Sequence, residues 1–230
     1  ADKPARGKIG FNRSFLMNTY YPLFANFFAN LGFEPVISDH CSHTGVDQRN
    51  AAFCYPAELA HGFFHTLLQN AEELDYIFLP HFRAIPTLET GTNSQLCPLA
   101  QGETYYLRAT FRERIESLQQ QGIRVMAPLI DLTEGLQAAA RPLVDTARKM
   151  GIGRRQARQA FEHAVEIQQR CLEDIHALGF KLLQSLEKDP GQMAVVLFGR
   201  PYSAFVEEAH MGIPHKLASR GIPVLPLDAL

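Results

Sequence analysis

The sequence predicts an α/β protein: a mainly parallel, flavodoxin-like sheet flanked by helices, then a long-helix segment leading into a second α/β lobe. Three observations carry this expectation. Short apolar runs of strand length alternate with longer amphipathic runs from residue 8 to residue 128, the pattern of βαβ units. One apolar stripe then recurs every three or four residues from Phe161 to Leu186, which is a helical period. Two further apolar runs of strand length follow, at 193–198 and 222–227.

Lys8–Phe11 reads as the first strand, and Tyr20–Leu31 as an apolar helix stopped by Gly32. Glu34–Ser38 is the second strand, with Pro35 favouring its first residue or an edge. Pro56–Asn70 is a helix, Asp75–Pro80 a strand of buried type, and Glu103–Gln121 a longer amphipathic helix closed by Gly122. Ile123–Pro128 is the next strand. Glu134–Lys149 and Gly153–Lys188 read as helices. The second carries the stripe Phe161, Val165, Leu172, Ile175, Leu178, Leu182, Leu186, broken only by Gln168. A helix of about 35 residues spans roughly 50 Å, so it is expected to cross between lobes or to bend near Gly179. Met193–Phe198 and Ile222–Leu227 are strands around a helix at Glu207–Arg220, interrupted by Gly212 and Pro214. The expected division is a first lobe at 1–132, a helical segment at 133–190, and at 191–230 either the start of a second α/β unit or a return to the first sheet. The chain reads as a fragment of something longer.

Hydrophobic residues make up 46% and charged residues 20%, with a formal net charge of -2. That balance is ordinary for a globular protein and lacks the basic footprint of a nucleic-acid binder. Arg154, Arg155 and Arg158 read as a solvated helix face. No run approaches the ~20 apolar residues of a membrane span, and the first residues lack the apolar core of a signal peptide. A cytoplasmic protein is the expectation. Four cysteines in 230 residues do not make a disulfide framework.

Two of those cysteines stand ahead of proline-started helices, in Cys54-Tyr55-Pro56 and Cys97-Pro98. Proline suits the first helical turn, where its missing N–H costs nothing. A cysteine just before that turn faces free backbone N–H groups and the positive end of the helix dipole, both of which favour thiolate. Thiolates bind soft metals and iron–sulfur clusters. Standing 43 positions apart with no Cys-x-x-Cys, the pair also reads as two small core side chains. Ligands of open α/β sheets bind beyond the carboxyl ends of the strands. Asn12-Arg13-Ser14, the polar run Asp39–His43, the 81–97 connection and Gly199-Arg200-Pro201-Tyr202 all fall there. Arg13 and Arg200 have the chemistry to hold a carboxylate or phosphate, or to serve as ordinary ion-paired arginines. Cys41 and His43 offer a Cys-x-His zinc chelate or a plain polar loop. His61 and His65, at i and i+4, have metal-holding spacing, but without the glutamate of a metalloprotease helix. Cys171 reads as core filler. Gly151-x-Gly153 lies between helices and is no dinucleotide loop, and there is no P-loop or Gly-x-Ser-x-Gly elbow.

Cys54-Tyr55-Pro56-Ala57-Glu58-Leu59-Ala60-His61-Gly62 resembles a segment of proteins related to 2-hydroxyacyl-CoA dehydratases. More closely, it resembles the domain of unknown function attached to CoA-enzyme activases in large fused proteins. Phe63 stands where the family segment has a histidine. Ile9–Arg13, Tyr21-Pro22 with Leu31–Phe33, Asn93 with Cys97-Pro98, Gly199–Tyr202 and His210 with Gly212–Pro214 match the same family in the same order.

The resemblance implies a [4Fe–4S]-type or double-cubane cluster held by cysteines between α/β lobes, fed by an activator that hydrolyses ATP. The cluster passes an electron to a hard-to-reduce substrate such as a 2-hydroxyacyl thioester. Cys54 and Cys97 match cluster positions. The resemblance puts the third cysteine beyond Leu230, in the remaining lobe of the full-length chain, so the cluster is expected to be incomplete or absent in this fragment. Arg13, Tyr55, His61, Arg200 and Tyr202 are the expected neighbours that offset its charge and tune its potential. The activator, the remaining lobe of the full-length chain and a second copy in a homodimer are the implied partners, with no nucleic acid and no membrane. Two rival readings stay open: a cluster-free regulatory or scaffold domain that docks the activase, and a zinc-binding structural module using Cys41, His43 and Cys54.

Overall fold

The computed structural model of the chain describes residues 6–49, 51, 54–86, 94–189 and 191–230. Asn93 and the middle of the 81–97 connection lie outside the described residues. The main sheet is parallel throughout, in the order β2-β1-β3-β5. Its strands are β1 (Lys8–Phe11), β2 (Glu34–Ile37), β3 (Tyr76–Phe78) and β5 (Arg124–Met126). The mixed α/β, flavodoxin-like class is thus the observed one.

Alternation along the two central strands splits the core into two layers. Ile9, Phe11 and Phe78 face α1 (Met17–Asn30), where Phe24 and Phe28 meet them. The Phe78 ring lies 5.1 Å from Phe28, 5.2 Å from Phe24 and 5.7 Å from Phe11. Ile77 faces the opposite way, toward Phe64 and Leu67 of α3 (Tyr55–Gln69). Gly10 makes room on that side, since a Cβ there would stand 2.6 Å from Leu74 Cδ1.

Two expected strands stop at prolines, Pro80 and Pro128, yet the chain stays extended past both. Leu79 N–H donates to the Met126 carbonyl and His81 N–H to the Pro128 carbonyl, each at 2.9 Å. Neither proline can donate, so the ladder lapses there. It resumes as a second parallel pair, β4 (His81–Ala84) with β6 (Leu129–Asp131). The carbonyls of Leu79 and Pro80 both accept from the buried Thr104 hydroxyl, at 3.0 and 3.2 Å. The strand break therefore anchors α5 (Glu103–Thr110).

The helix expected over 103–121 is two helices, α5 and α6 (Arg112–Gln120), parted at Phe111 (φ −102°, ψ 26°). The break turns Phe111 inward, 5.5 Å from the Phe64 ring. The helix expected from Glu134 starts later, with a 3₁₀ turn at Leu136–Ala139 leading into α7 (Ala140–Lys149). Gly135 has φ +86°, which ends any helical run before it.

α8 (Arg154–Lys188) is one continuous helix that runs through Gly179. A Cβ on Gly179 would stand 1.8 Å from the Ala229 carbonyl oxygen. The glycine lets the last turn of the chain lie against the helix.

Gln168, the one polar residue of the α8 stripe, is 1% exposed. Pro22 sits inside α1 without an N–H to give, and its ring displaces the preceding turn. Gln168 Oε1 accepts from Leu23 N–H at 3.1 Å, and its Nε2 donates to the Thr19 carbonyl at 3.2 Å. One side chain thus replaces the helical rung beside the proline.

The last elements are β7 (Val195–Leu197), α9 (Pro201–Ala204), α10 (Glu207–His210), α11 (Ile213–Ala218) and β8 (Val224–Pro226). Among the described residues β7 pairs with β8, in parallel, in a sheet separate from the first. α9 reaches back to the residues just before α1, where Tyr202 meets Phe15 edge-on with ring centroids 5.2 Å apart. No helix among the described residues is long and apolar enough to cross a membrane.

Candidate functional site

In a parallel sheet each connection returns the chain from the carboxyl edge, so the helices that lead back start there. Cys54 is the residue before α3 and Cys97 the residue before α4 (Pro98–Gln101). Both have extended backbones with proline in the following turn. Cys97 Sγ accepts from the Ala100 N–H at 3.4 Å, a sulfur acting as helix cap. The Cys54 carbonyl accepts from the N–H groups of Ala57 and Glu58, at 2.9 and 3.2 Å. Cys54 is half-buried and Cys97 exposed.

Two tyrosines feel charge at both cysteines. Burial pushes the Tyr106 hydroxyl far up from its ordinary pKa, and negative charge at Glu103, Cys54 and Cys97 pushes it further. Burial also raises Tyr202, with Cys97 and Cys54 adding to it and the Arg200 guanidinium opposing. Charge at either sulfur is therefore felt at both phenols. Tyr55, at the first turn of α3, is 51% exposed.

His61 supports Tyr106. Its ring stacks on Tyr106 with centroids 5.1 Å apart and planes 12° from parallel. Its Nδ1 lies 2.8 Å from the Ala57 carbonyl and its Nε2 lies 3.4 Å from Thr110 Oγ1. A carbonyl only accepts, so Nδ1 carries the proton. Burial lowers the His61 pKa, which keeps the ring neutral.

Glu103 lies beneath, at the start of α5 and 5% exposed. Its Oε1 accepts from Asn12 Nδ2 at 2.9 Å and from the Ser14 hydroxyl. Burial outweighs those hydrogen bonds and pushes its carboxyl pKa up to about 7.

The remaining expected residues divide. Arg200 lies within coulombic reach of Tyr202. Arg13 turns elsewhere: its guanidinium lies 5.3 Å over the Phe63 ring, 3.9 Å from Glu208 and 3.4 Å from the Asp39 carbonyl. Cys41 packs against the middle of α3, where a Cβ on Gly62 would stand 2.3 Å from its sulfur. Burial pushes its thiol up to about 11. Gly62 is eight residues past Cys54, roughly 12 Å along a helix, so Cys41 and Cys54 stand well apart. His61 and His65 both lean on Phe111, each with centroids 6.2 Å from it. Cys171 lines a cavity of about 210 Å³ between α1 and α8. Among the described residues no three or more His, Cys, Asp or Glu side chains are grouped to hold a metal. That leaves the zinc set of Cys41, His43 and Cys54 without support.

An open groove of about 690 Å³ adjoins α4, lined by His81, Phe82, Pro98, Tyr105, Ala127 and Leu129. Its lining includes Pro98, the residue after Cys97, and does not include Cys97 itself.

Glu103 and Tyr106 are the residues here that motif reasoning on the sequence does not single out. An acid in the first turn of a helix is ordinary. The one available signal is Asn12 and Ser14 directly after the first strand, at the sheet's carboxyl edge.

No curated protein and no solved structure matches the chain significantly. A protein-family profile described as CoA enzyme activase uncharacterised domain (DUF2229) matches residues 8–230. The chain belongs to that family of CoA-enzyme-activase domains.

Proposed function

We propose that this chain is an electron-relaying lobe of a CoA-enzyme-activase system, related to 2-hydroxyacyl-CoA dehydratases. Cys54 and Cys97 supply two thiolate ligands to an iron–sulfur cluster of [4Fe–4S] or double-cubane type. The lobe takes electrons from an ATP-dependent activator and passes them to a hard-to-reduce substrate. The observation that supports this reading is that two cysteines standing just before proline-started helices both act electrostatically on Tyr106 and Tyr202. The residues fit as a partial ligand set: soft donors, at helix N-termini, at an accessible rim. Two donors are too few for a cubane, so the remaining ligands come from another lobe or another chain.

When bound, the cluster supplies a one-electron store. The chain's own residues shape its surroundings. The Ala100 N–H directed at Cys97 Sγ stabilises negative charge there. Tyr106, held flat on His61, closes the inner side against water. Arg200 offers a positive charge near Tyr202.

Anaerobic reconstitution with ferrous iron and sulfide tests the reading. The full-length protein is expected to take up iron and acid-labile sulfide stoichiometrically, with broad visible absorption. Cys54→Ala and Cys97→Ala are each expected to abolish both. Uptake unchanged in both variants, or no uptake at all, would overturn it.

One feature favours a second reading, a cluster-free domain that docks the activase. Phe198, Met211 and Ile213, in or between β7 and β8, are each exposed apolar side chains, a residue type that docking surfaces use. Activase binding that survives Cys54→Ala without any iron in the wild type would support that reading instead.

A further inference from the structure

The apolar stripe of α8 outruns the helix that covers it. Phe161 and Val165 are buried in the main core, and Gln168 meets the Thr19 carbonyl of α1 at 3.2 Å. α1 begins at Met17, so the next stripe positions, Leu172 and Ile175, pass its start and are only half-buried. The turn at Leu227–Ala229 reaches α8 one helical turn beyond Ile175, where Gly179 admits the Ala229 carbonyl. Between these pieces lies the cavity of about 210 Å³. Leu172 and Ile175 line it beside Cys171, Pro22 lines it from α1, and Phe205, Pro226 and Asp228 line it from the last unit.

Two amides of the lining are already engaged. Gln168 bonds the α1 backbone through both ends, and Asn18 Nδ2 donates to the Phe15 carbonyl at 3.2 Å. Among the described residues the lining holds one charged side chain, the exposed Asp228, and no lysine or arginine. The volume equals that of roughly seven waters at ~30 Å³ each.

We propose that this cavity binds a small cationic amphiphile: an alkyl or aryl ammonium ion of about seven or eight non-hydrogen atoms by that volume. Its apolar part lies against Leu172, Ile175 and Pro226, and its ammonium group meets the Asp228 carboxylate. The volume is too small for a nucleotide, the apolar walls leave sugar hydroxyls unpaired, and Asp228 repels carboxylates and phosphates. Because the walls come from α1, α8 and the last unit, a bound molecule touches both parts of the chain. Neither Cys54 nor Cys97 lines the cavity, so the proposal does not depend on a cluster.

Cys171 reports on occupancy. In a Cys41→Ser, Cys54→Ser, Cys97→Ser variant it is the remaining thiol. Its rate of modification by methyl methanethiosulfonate, a small neutral thiol reagent, is measured against butyl-, pentyl-, hexyl-, octyl- and decylammonium, and against the matching alcohols. Saturable protection is expected, with affinity rising roughly 4-fold per methylene, the value of one buried CH₂. The gain should end near hexyl to octyl, where the cavity is full. Asp228→Asn should cut the preference for amine over alcohol roughly 2- to 5-fold, the scale of a solvent-exposed ion pair. Protection that never saturates or keeps rising through decyl, or an amine preference unchanged in Asp228→Asn, would overturn the proposal. Should the triple variant fail to fold, thermal unfolding of the chain with all four cysteines replaces it. Hexylammonium should raise its melting temperature, and Cys171→Phe, which fills the cavity, should remove that rise. No rise, or an equal rise in Cys171→Phe, would overturn the proposal.

Discussion

Gln168→Leu is expected to destabilise the protein by about 2–4 kcal/mol, although leucine fits the apolar stripe of α8 better by sequence. The substitution strands the Leu23 N–H and the Thr19 carbonyl, which Gln168 bonds at 3.1 and 3.2 Å. A buried backbone group left unpaired costs about 1–3 kcal/mol, and the added apolar burial offsets part of the sum. For a chain of this size the melting temperature should fall by about 5–15 °C. The cause is Pro22, so the two sites are coupled. In a Pro22→Ala background α1 can close its own rung, and Gln168→Leu should then cost much less. Denaturant unfolding of the four proteins measures this. Equal costs in both backgrounds would show that Gln168 does not repair the break at Pro22.

Gly62→Ala is expected to destabilise by about 1–3 kcal/mol, the usual cost of overpacking. Helix propensity alone points the other way, favouring alanine by about 1 kcal/mol inside a helix. The sign of the effect is therefore diagnostic. A Cβ at this position would stand 2.3 Å from Cys41 Sγ and 2.9 Å from the Ser42 carbonyl oxygen. The backbone cannot yield freely, because Ser42 N–H also donates to the Gly62 carbonyl at 3.2 Å. The approach is mutual, since a Cβ on Gly45 of α2 (His43–Asp47) would stand 2.4 Å from His65 Cβ. A stabilised Gly62→Ala protein in urea unfolding would contradict this packing.

The elements read most easily were those whose period matches their environment. The central strands, with side chains buried on both faces, read as continuous apolar runs, and the α8 stripe gave a helix ending at Lys188. Where a local rule was overruled, the sequence misled. Proline argued for the ends of the strands at Pro80 and Pro128, but main-chain bonds on either side carry the extended chain through to β4 and β6. Gly179 looked like a bend because its packing partner, Ala229, lies 50 residues away in sequence and only the fold brings them together. Gln168 looked like a flaw in the stripe for the same reason, since its role depends on a proline in another helix.

The site divides along the same line. The positions of Cys54 and Cys97 at helix starts were legible because proline marks the first helical turn, a purely local signal. The two tyrosines that feel charge at both sulfurs were not, because Tyr106 comes from α5 and Tyr202 from α9. Glu103 was invisible for a further reason. Nothing near it in sequence says that Asn12 and Ser14, about 90 residues earlier, will bury it.

The central claim is that Cys54 and Cys97 form one site. Cadmium titration of a Cys41→Ser, Cys171→Ser background, followed by sulfur-to-metal charge-transfer absorption, tests it most directly, because thiolates bind this soft ion jointly when they converge. One ion per chain should bind, and Cys54→Ser or Cys97→Ser alone should weaken binding as much as both together. Independent, additive losses from the two substitutions, or separate weak sites that each survive loss of the other cysteine, would contradict the claim.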